Sequence, residues 1–152
     1  MQAANNLLNE LGRLVGLDGL ALDESGQCTL AFDETIVLTF VGDADDSLNV
    51  VSYVGDLQAE NAPAARALLS RNFVPSGLGG GRVALEPNSG RVVLVNRWDG
   101  VRTDFALFQK QLEEFVNSVE SVRAELDALP LVAPSVGSSR HSSEVPPPGS
   151  FI

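Results

Sequence analysis

The sequence predicts one α+β domain, a twisted antiparallel sheet packed by helices, with the element order α-β-β-β-α-β-β-α. Two observations predict it: five short segments have the apolar patterns of strands, and three others repeat apolar residues every three to four positions. The chain has 152 residues, of which 44% are hydrophobic, enough for one domain with a sizeable core. We therefore expect one domain over 1–129 and a Pro/Ser-rich disordered tail over 130–152.

The first helix is predicted over about residues 3–15, because its apolar residues share one helical face. Gly16 is a suitable stop, since glycine readily adopts the left-handed conformation that closes a helix. Three strand-like runs follow at 27–32, 36–41 and 48–54, and their short connections predict an antiparallel meander. The apolar residues of the helix are Leu7, Leu8, Leu11, Leu14 and Val15.

The second half of the chain predicts a short helix and a hairpin. Asn61 is a suitable N-cap, and Pro63 stands in the first turn, where proline is tolerated. Residues 82–86 and 91–97 form the hairpin around a turn at 87–90. The second of these strands has four consecutive apolar residues, which predicts a strand covered on both faces.

The last helix has the clearest periodicity, with Thr103 as its predicted N-cap. A coiled coil would show this pattern, and so would a helix that lies along a sheet. The mixed charges around the apolar stripe do not distinguish the two. The stripe consists of Phe105, Phe108, Leu112, Phe115, Val119, Val122, Leu126 and Leu129.

The net charge of −10 is unevenly distributed. Residues 1–60 contain eleven acidic residues and one basic residue, whereas residues 61–102 contain two acidic residues and six arginines. An acidic chain repels phosphate backbones, so we do not expect nucleic-acid binding as the main role. The N-terminus does not resemble a secretory signal, and no run reaches the roughly 20 apolar residues of a membrane span. These observations favour a cytoplasmic protein.

No group of residues resembles a catalytic or metal site. His141 is the only histidine and lies in the predicted tail, whereas Cys28 alternates with apolar strand residues and is interpreted as core. The aspartates of the 42–47 turn lack the pattern of a calcium loop, and 77–82 lacks the ending of a phosphate-binding loop. We interpret these segments as a solvated turn and a flexible hinge. The sequence thus predicts no catalytic residue, no metal and no cofactor.

Two features remain open. Trp98 and Tyr53, the only residues of their types, are equally suited to anchor an interface or to pack in the fold. The arginines of 61–102 form either a basic face for an acidic partner or a scattered, solvated set. They are Arg66, Arg71, Arg82, Arg91, Arg97 and Arg102.

Five parts of the chain carry a resemblance to a known family, although no single segment is diagnostic. They are Leu7-Leu8-Asn9-Glu10-Leu11-Gly12, Leu17-Asp18-Gly19-Leu20, Asp23-Glu24-Ser25-Gly26-Gln27-Cys28-Thr29-Leu30-Ala31-Phe32-Asp33, Leu68-Leu69-Ser70-Arg71-Asn72-Phe73, and Phe108, Leu112, Phe115 and Val116 of the last helix. Together with size, acidity and element order, these segments resemble the class I type III secretion chaperones, also called the Tir chaperone family. The resemblance covers about residues 5–128, and the tail and the glycine-rich stretch 77–81 depart from it.

The resemblance implies a non-enzymatic homodimer in the bacterial cytoplasm, associated with virulence, without membrane insertion. It implies binding to the N-terminal segment of a secreted effector, which is kept extended and ready for secretion, and it adds the secretion ATPase as a further partner. It also implies a dimer interface built by the second helix and the neighbouring hairpin strand. The corresponding residues are Ala65, Leu68, Leu69, Phe73, Val83 and Leu85.

The first two strands have apolar residues on both faces, which is more than a one-sided core requires. We therefore expect some of them to form effector-binding grooves with the end of the first helix, and a sheet edge can accept a further strand. The candidate effector-binding residues are Leu14, Leu17, Leu30, Phe32, Val37 and Val41.

Two other classes of function compete with this interpretation. A regulatory or adaptor protein of similar fold would bind a partner that remains folded. A small enzyme would need reactive groups, such as paired carboxylates with perturbed pKa values in a pocket.

Overall fold

The computed structural model describes residues 1–74 and 78–130, so the predicted tail lies almost entirely outside the described residues. The predicted element order is confirmed. The elements are α1 (Gln2–Val15), β1 (Gln27–Phe32), β2 (Ile36–Gly42), β3 (Ser47–Asp56), α2 (Ala62–Ser70), β4 (Arg82–Leu85), β5 (Arg91–Asp99) and α3 (Phe105–Ala128).

The five strands form one open antiparallel sheet in the order β1-β2-β3-β5-β4. The predicted meander and hairpin are both present. β3 and β5 form the longest pairing, from Ser47 opposite Asp99 to Asp56 opposite Arg91, with an irregularity between Tyr53 and Gly55. β1 and β4 are the two edge strands.

The core lies between one face of the sheet and the helices α1 and α3. Phe108 and Phe115 of α3 have no exposed surface. The Phe108 ring meets Trp98 of β5 edge to face, with ring centroids 4.9 Å apart, and the Trp98 indole N–H donates to Gln111 Oε1 over 2.7 Å. The apolar stripe of α3 therefore belongs to a helix that lies along a sheet, and Trp98 is a core residue.

The other face of the sheet is not covered by any described element. In β5, Val92 and Leu94 are buried in the core, whereas Val93 and Val95 are only partly buried on the opposite face. The prediction that this strand is covered on both faces is thus wrong within the described residues of one chain. The physical reason is that the described helices pack against one face only. We call the other one the open face.

The aspartates between β2 and β3 connect the turn to the rest of the fold. Asp46 accepts the backbone N–H groups of Ala3 (3.2 Å) and Ala4 (3.1 Å) in the first turn of α1. Asp43 and Asp45 both pair with Arg97 of β5. The interpretation as a merely solvated turn was therefore incomplete, because these long-range partners are not visible in the sequence.

We expect Asp46→Ala to lower the melting temperature at pH 7. The backbone N–H of Ala4, then the N-terminal amine, lowers the pKa of Asp46 below its ordinary 3.8. A lowered pKa in the folded state stabilises above the unfolded pKa, and this stabilisation is lost as the pH falls through the folded pKa. Thermal melts should therefore show a difference from the wild type at pH 7 that shrinks below pH 3.8.

Asp18→Ala is the matched control for Asp46→Ala, because Asp18 is an exposed acid in the α1–β1 connection. Its melting temperature should stay close to that of the wild type both at pH 7 and below pH 3.8. An equal fall in the melting temperature of the two variants would show that the change in net charge, rather than the lost contact with α1, causes the effect.

Two local predictions are wrong. The N-cap of α3 is Asp104, whose Oδ1 accepts the Leu107 N–H over 2.8 Å, whereas the Thr103 N–H donates to the Asp99 carbonyl and so belongs to the preceding turn. The described part of the glycine-rich stretch is a packed turn rather than a flexible hinge. Leu78 is fully buried, and a Cβ on Gly79 would lie 2.7 Å from the Phe115 nitrogen.

Candidate protein-binding surfaces

The first candidate surface lies where α2 meets β4. Leu69 and Phe73 are 65% and 88% exposed, although both are large apolar side chains. A shallow pocket of about 210 Å³ separates the helix from the strand, and its lining is almost entirely apolar. We call it the α2 surface. It is lined by Leu57, Ala65, Leu68, Leu69, Val83, Ala84, Leu85 and Val92, and Phe73 adjoins it beside Ala65 and Leu69.

The structure thus brings together all six residues of the predicted dimer interface. Leu68 and Val83 are mostly buried beneath the surface, where they connect it to the core. Ala65, Leu69, Phe73 and Leu85 supply its partly or fully exposed part.

Asn72 holds the end of α2 against β4. Its side-chain oxygen accepts the Val83 N–H over 2.8 Å, and its amide donates to the Val83 carbonyl over 3.1 Å. These bonds satisfy the backbone of Val83 on the outer side of the edge strand. Sequence reasoning missed Asn72, because nothing in the sequence distinguishes its side-chain amide from that of any other asparagine.

The second candidate surface is a groove between the end of α1, the end of β1 and the middle of α3. Leu14 is 56% exposed at its rim, and Phe32 is partly buried within it. The groove measures about 440 Å³ and is mainly apolar. We call it the α1–α3 groove. Its lining residues are Leu14, Val15, Phe32, Gln109, Leu112, Glu113, Val116 and Asn117.

The six candidate effector-binding residues do not share one surface. Leu14 and Phe32 line the α1–α3 groove, whereas Val37 and Val41 lie on the open face. Leu30 is only 6% exposed and belongs to the core, so it is not accessible in this chain. Leu17 is exposed but does not line the groove. Strand pairing decides this division, because Leu30 and Phe32 face the helices and their neighbours face away.

The groups with shifted pKa values do not line either surface. Burial, and then the charge of Asp23, raises the pKa of the Cys28 thiol, consistent with its predicted place in the core. Hydrogen bonds from Ser25 and Ser47, each in the same turn as its carboxylate, lower the pKa of Asp23 and Asp45. Asp23 and Asp45 therefore stabilise the turns in which they lie.

Within residues 1–74 and 78–130, no three His, Cys, Asp or Glu side chains are placed to hold a metal ion. No helix in this part of the chain has the length and apolar character needed to cross a bilayer.

The six arginines form neither one face nor a fully scattered set. Arg82, Arg91 and Arg97 share the open face, as the strand register shows. Arg71 instead pairs with Glu125 of α3 at 3.2 Å. Tyr53 also lies on the open face, with the Arg91 guanidinium 4.6 Å from its ring centroid.

Several solved structures have this fold. The ExsC–ExsE complex contains a chain with 24% identity and a TM-score of 0.69, covering 82% of this chain and 94% of that one. The HopA1–SchA chaperone–effector complex contains a chain with 16% identity and a TM-score of 0.67, covering 80% of this chain and 94% of that one. A third structure is that of the Yersinia pestis type III secretion chaperone SycH in complex with a stable fragment of YscM2. The match has 18% identity and a TM-score of 0.64, and it covers 78% of this chain and 98% of that one. No curated protein matches the sequence.

At such identities, the solved structures establish the fold alone. The family model of the Tir chaperone protein (CesT) family matches residues 6–123, which is more than three quarters of the chain. That match includes both candidate surfaces. The chain therefore belongs to the Tir chaperone (CesT) family, the class I type III secretion chaperones that its sequence resembles.

Proposed function

We propose that this protein is a homodimeric chaperone that binds the N-terminal segment of a cognate effector and keeps it soluble and competent for secretion. The observation that carries the proposal is the α1–α3 groove, an exposed apolar surface separate from the α2 surface. One apolar surface would suffice for dimerisation, so the second is available to a different partner. Family membership supports this assignment.

The α2 surface is suited to a two-fold interface. Its exposed residues come from α2, the turn that follows it and one edge strand, so the same patch on two copies can pack against itself. Leu69 and Phe73 would then be withdrawn from water, which stabilises the dimer in proportion to the apolar area buried. Each dimer would present two α1–α3 grooves.

The α1–α3 groove is suited to an extended, unfolded segment. A disordered client loses conformational entropy on binding, so it needs a large contact surface, which two grooves on one dimer provide. β1 is an edge strand next to the groove, and an edge can pair with a further strand. The HopA1–SchA structure is itself a chaperone–effector complex, which supports this kind of partner. The secretion ATPase is the proposed second partner of the loaded dimer.

Co-purification with the product of the adjacent gene, followed by hydrogen exchange, tests the proposed function. We expect a complex in which the partner's N-terminal segment exchanges without a cooperative fold of its own, while α1 and α3 gain protection. A partner that binds as a folded domain would favour an adaptor function instead. A lack of any complex under co-expression would contradict the chaperone assignment for this gene pair.

Leu14→Glu should weaken client binding at least tenfold, about 1.4 kcal/mol. The substitution places a charge in an apolar groove, where the bound client would separate it from water. Titration of a labelled client segment measures the effect. Val101→Glu, an equal change at an exposed residue outside the groove, is the control. Equal affinity in the two variants would remove the groove from the binding site.

A further inference from the structure

The two edge strands of the sheet differ in how their outer backbone groups are satisfied. In an antiparallel pair, the residues of a strand turn their N–H and C=O groups alternately toward the neighbouring strand and away from it. The Glu86 N–H donates to the carbonyl of Arg91, its partner in the hairpin, over 2.8 Å. The alternation therefore directs the backbone groups of Val83 and Leu85 away from β5, and these two residues form the outer edge of β4.

Asn72 occupies both outer backbone groups of Val83. Its side-chain oxygen accepts the N–H, and its side-chain nitrogen donates to the carbonyl. A carboxamide has the same kinds of donor and acceptor as a peptide group, so Asn72 forms both bonds that a paired residue of a further strand would form. Among residues 1–74 and 78–130, no hydrogen-bond partner reaches the outer backbone groups of Leu85. One residue of the β4 edge is thus satisfied, and one is free.

The turn that ends α2 holds Asn72 in this position. The Asn72 N–H donates to the Leu69 carbonyl over 3.0 Å. The preceding residue, Arg71, pairs with Glu125 of α3 at 3.2 Å and donates to Ser121 Oγ over 3.1 Å. Because the turn is joined to α2 and to α3, the carboxamide of Asn72 is fixed against β4.

β1, the other edge strand, has two successive residues with free outer groups. The Gly42 N–H donates to the Gly26 carbonyl over 2.9 Å, so every second residue from Gln27 onward turns its backbone groups away from β2. In the part of the chain that the structure describes, those of Thr29 and Ala31 have no hydrogen-bond partner. A further strand can therefore form a continuous ladder with β1, whereas Asn72 interrupts such a ladder on β4.

We propose that Asn72 closes the β4 edge to strand addition, so that neither an extended peptide nor β4 of a second copy extends the sheet there. An unprotected edge presents unpaired N–H and C=O groups with which another chain can pair. With Asn72 in place, only the backbone groups of Leu85 remain for such a partner. A consequence for the dimer rests on the proposed function: the two α2 surfaces pack through their side chains and not through a continuous sheet.

Amide hydrogen exchange of the full-length protein, followed by NMR, tests the proposal. The probe is a peptide of residues 81–86, which reproduces β4. In Asn72→Ala, millimolar peptide should slow the exchange of the Leu85 amide at least tenfold, because the freed groups of Val83 complete a ladder on this edge. In the wild type, the Leu85 exchange rate should not change. The same peptide N-methylated at residues 82–85 should have no effect on either protein, since its central residues have no N–H to donate.

Asn96→Ala is the matched control. The Asn96 side-chain amide also donates to a backbone carbonyl, that of Gly79 over 3.0 Å, but this bond lies away from the outer edge of β4. Its loss should leave the Leu85 exchange rate insensitive to the peptide. Asn72→Asp is a milder second variant, because a carboxylate still accepts the Val83 N–H but cannot donate to the carbonyl. It should show slower Leu85 exchange with peptide, by a smaller factor than Asn72→Ala.

Three results would overturn the proposal. Slower Leu85 exchange with peptide in the wild type would show that Asn72 does not close the edge. Unchanged Leu85 exchange in both folded Asn72 variants would reduce Asn72 to a contact that only holds α2 against β4. An equal effect of the N-methylated peptide would mean that side-chain contacts, and not strand pairing, protect the amide. A wild-type monomer in light scattering would contradict the proposed dimer alone, because the exchange of the Leu85 amide reports on the β4 edge in a monomer as well.

Discussion

Phe108→Ala should lower the free energy of unfolding by about 3–5 kcal/mol, the largest effect on stability that we predict. The Phe108 ring has no exposed surface and packs edge to face against Trp98, with a second ring contact to Phe105. Its removal loses the transfer free energy of the ring, leaves a cavity between α3 and the sheet, and breaks the aromatic pair. Natural domains are stable by only about 5–15 kcal/mol, so much of the stability would be lost.

Denaturant unfolding at one fixed protein concentration measures this change, because the proposed dimer would make the apparent stability depend on protein concentration. Leu107→Ala is the control, since Leu107 directly precedes Phe108 on α3 and is 44% exposed. Its change should stay within about 0.5 kcal/mol, as is usual for exposed positions. A loss below about 1 kcal/mol for Phe108→Ala would mean that the apolar stripe of α3 does not pack on the sheet in solution.

Leu69→Asp should convert the proposed dimer to a monomer while leaving the fold intact. Leu69 is largely exposed in one chain, so a polar residue there costs the isolated protomer little. In a two-fold interface the substitution occurs twice, and each copy would bury an unpaired carboxylate at a cost of several kcal/mol. Light scattering should therefore report the mass of one chain, and circular dichroism should show the same helix and strand content as the wild type.

Leu107→Asp introduces the same charge at an exposed leucine on α3, away from the α2 surface. This control should remain a dimer. A dimer of unchanged mass and affinity in Leu69→Asp would exclude Leu69 from the interface, and a wild-type monomer would exclude the proposed dimer itself.

Local patterns identified the secondary structure, because each pattern reports a preference of its own segment. The helical stripe of α1, with Gly16 at its end, predicted a helix that is one residue longer in the structure. The Asn61 cap of α2 is present, with its side chain accepting the Ala64 N–H over 3.1 Å. At α3 the prediction missed by one residue, since Thr103 and Asp104 are both good cap types and only the turn at Asp99 selects between them.

The binding surfaces were harder to predict than the elements. The resemblance implies dimer residues on the second helix and the neighbouring hairpin strand, and the structure places all six of them together. The effector residues came from the two-sided apolar character of β1 and β2, a pattern that does not say which face meets the helices. The sequence pattern therefore includes Leu30 although it is a core residue, and it groups Val37 with Phe32 although the two lie on opposite faces.

The sequence by itself determined the element order, the apolar stripes, the acidic character and the family of this protein, since these are properties of residue type and spacing along the chain. Tertiary structure alone decided which face of the sheet is covered, that Asn72 joins α2 to β4, and that Asp46 caps α1. It also decided that Arg82, Arg91 and Arg97 share one face. These contacts join residues distant in sequence, and only the packing of the whole chain selects such pairs.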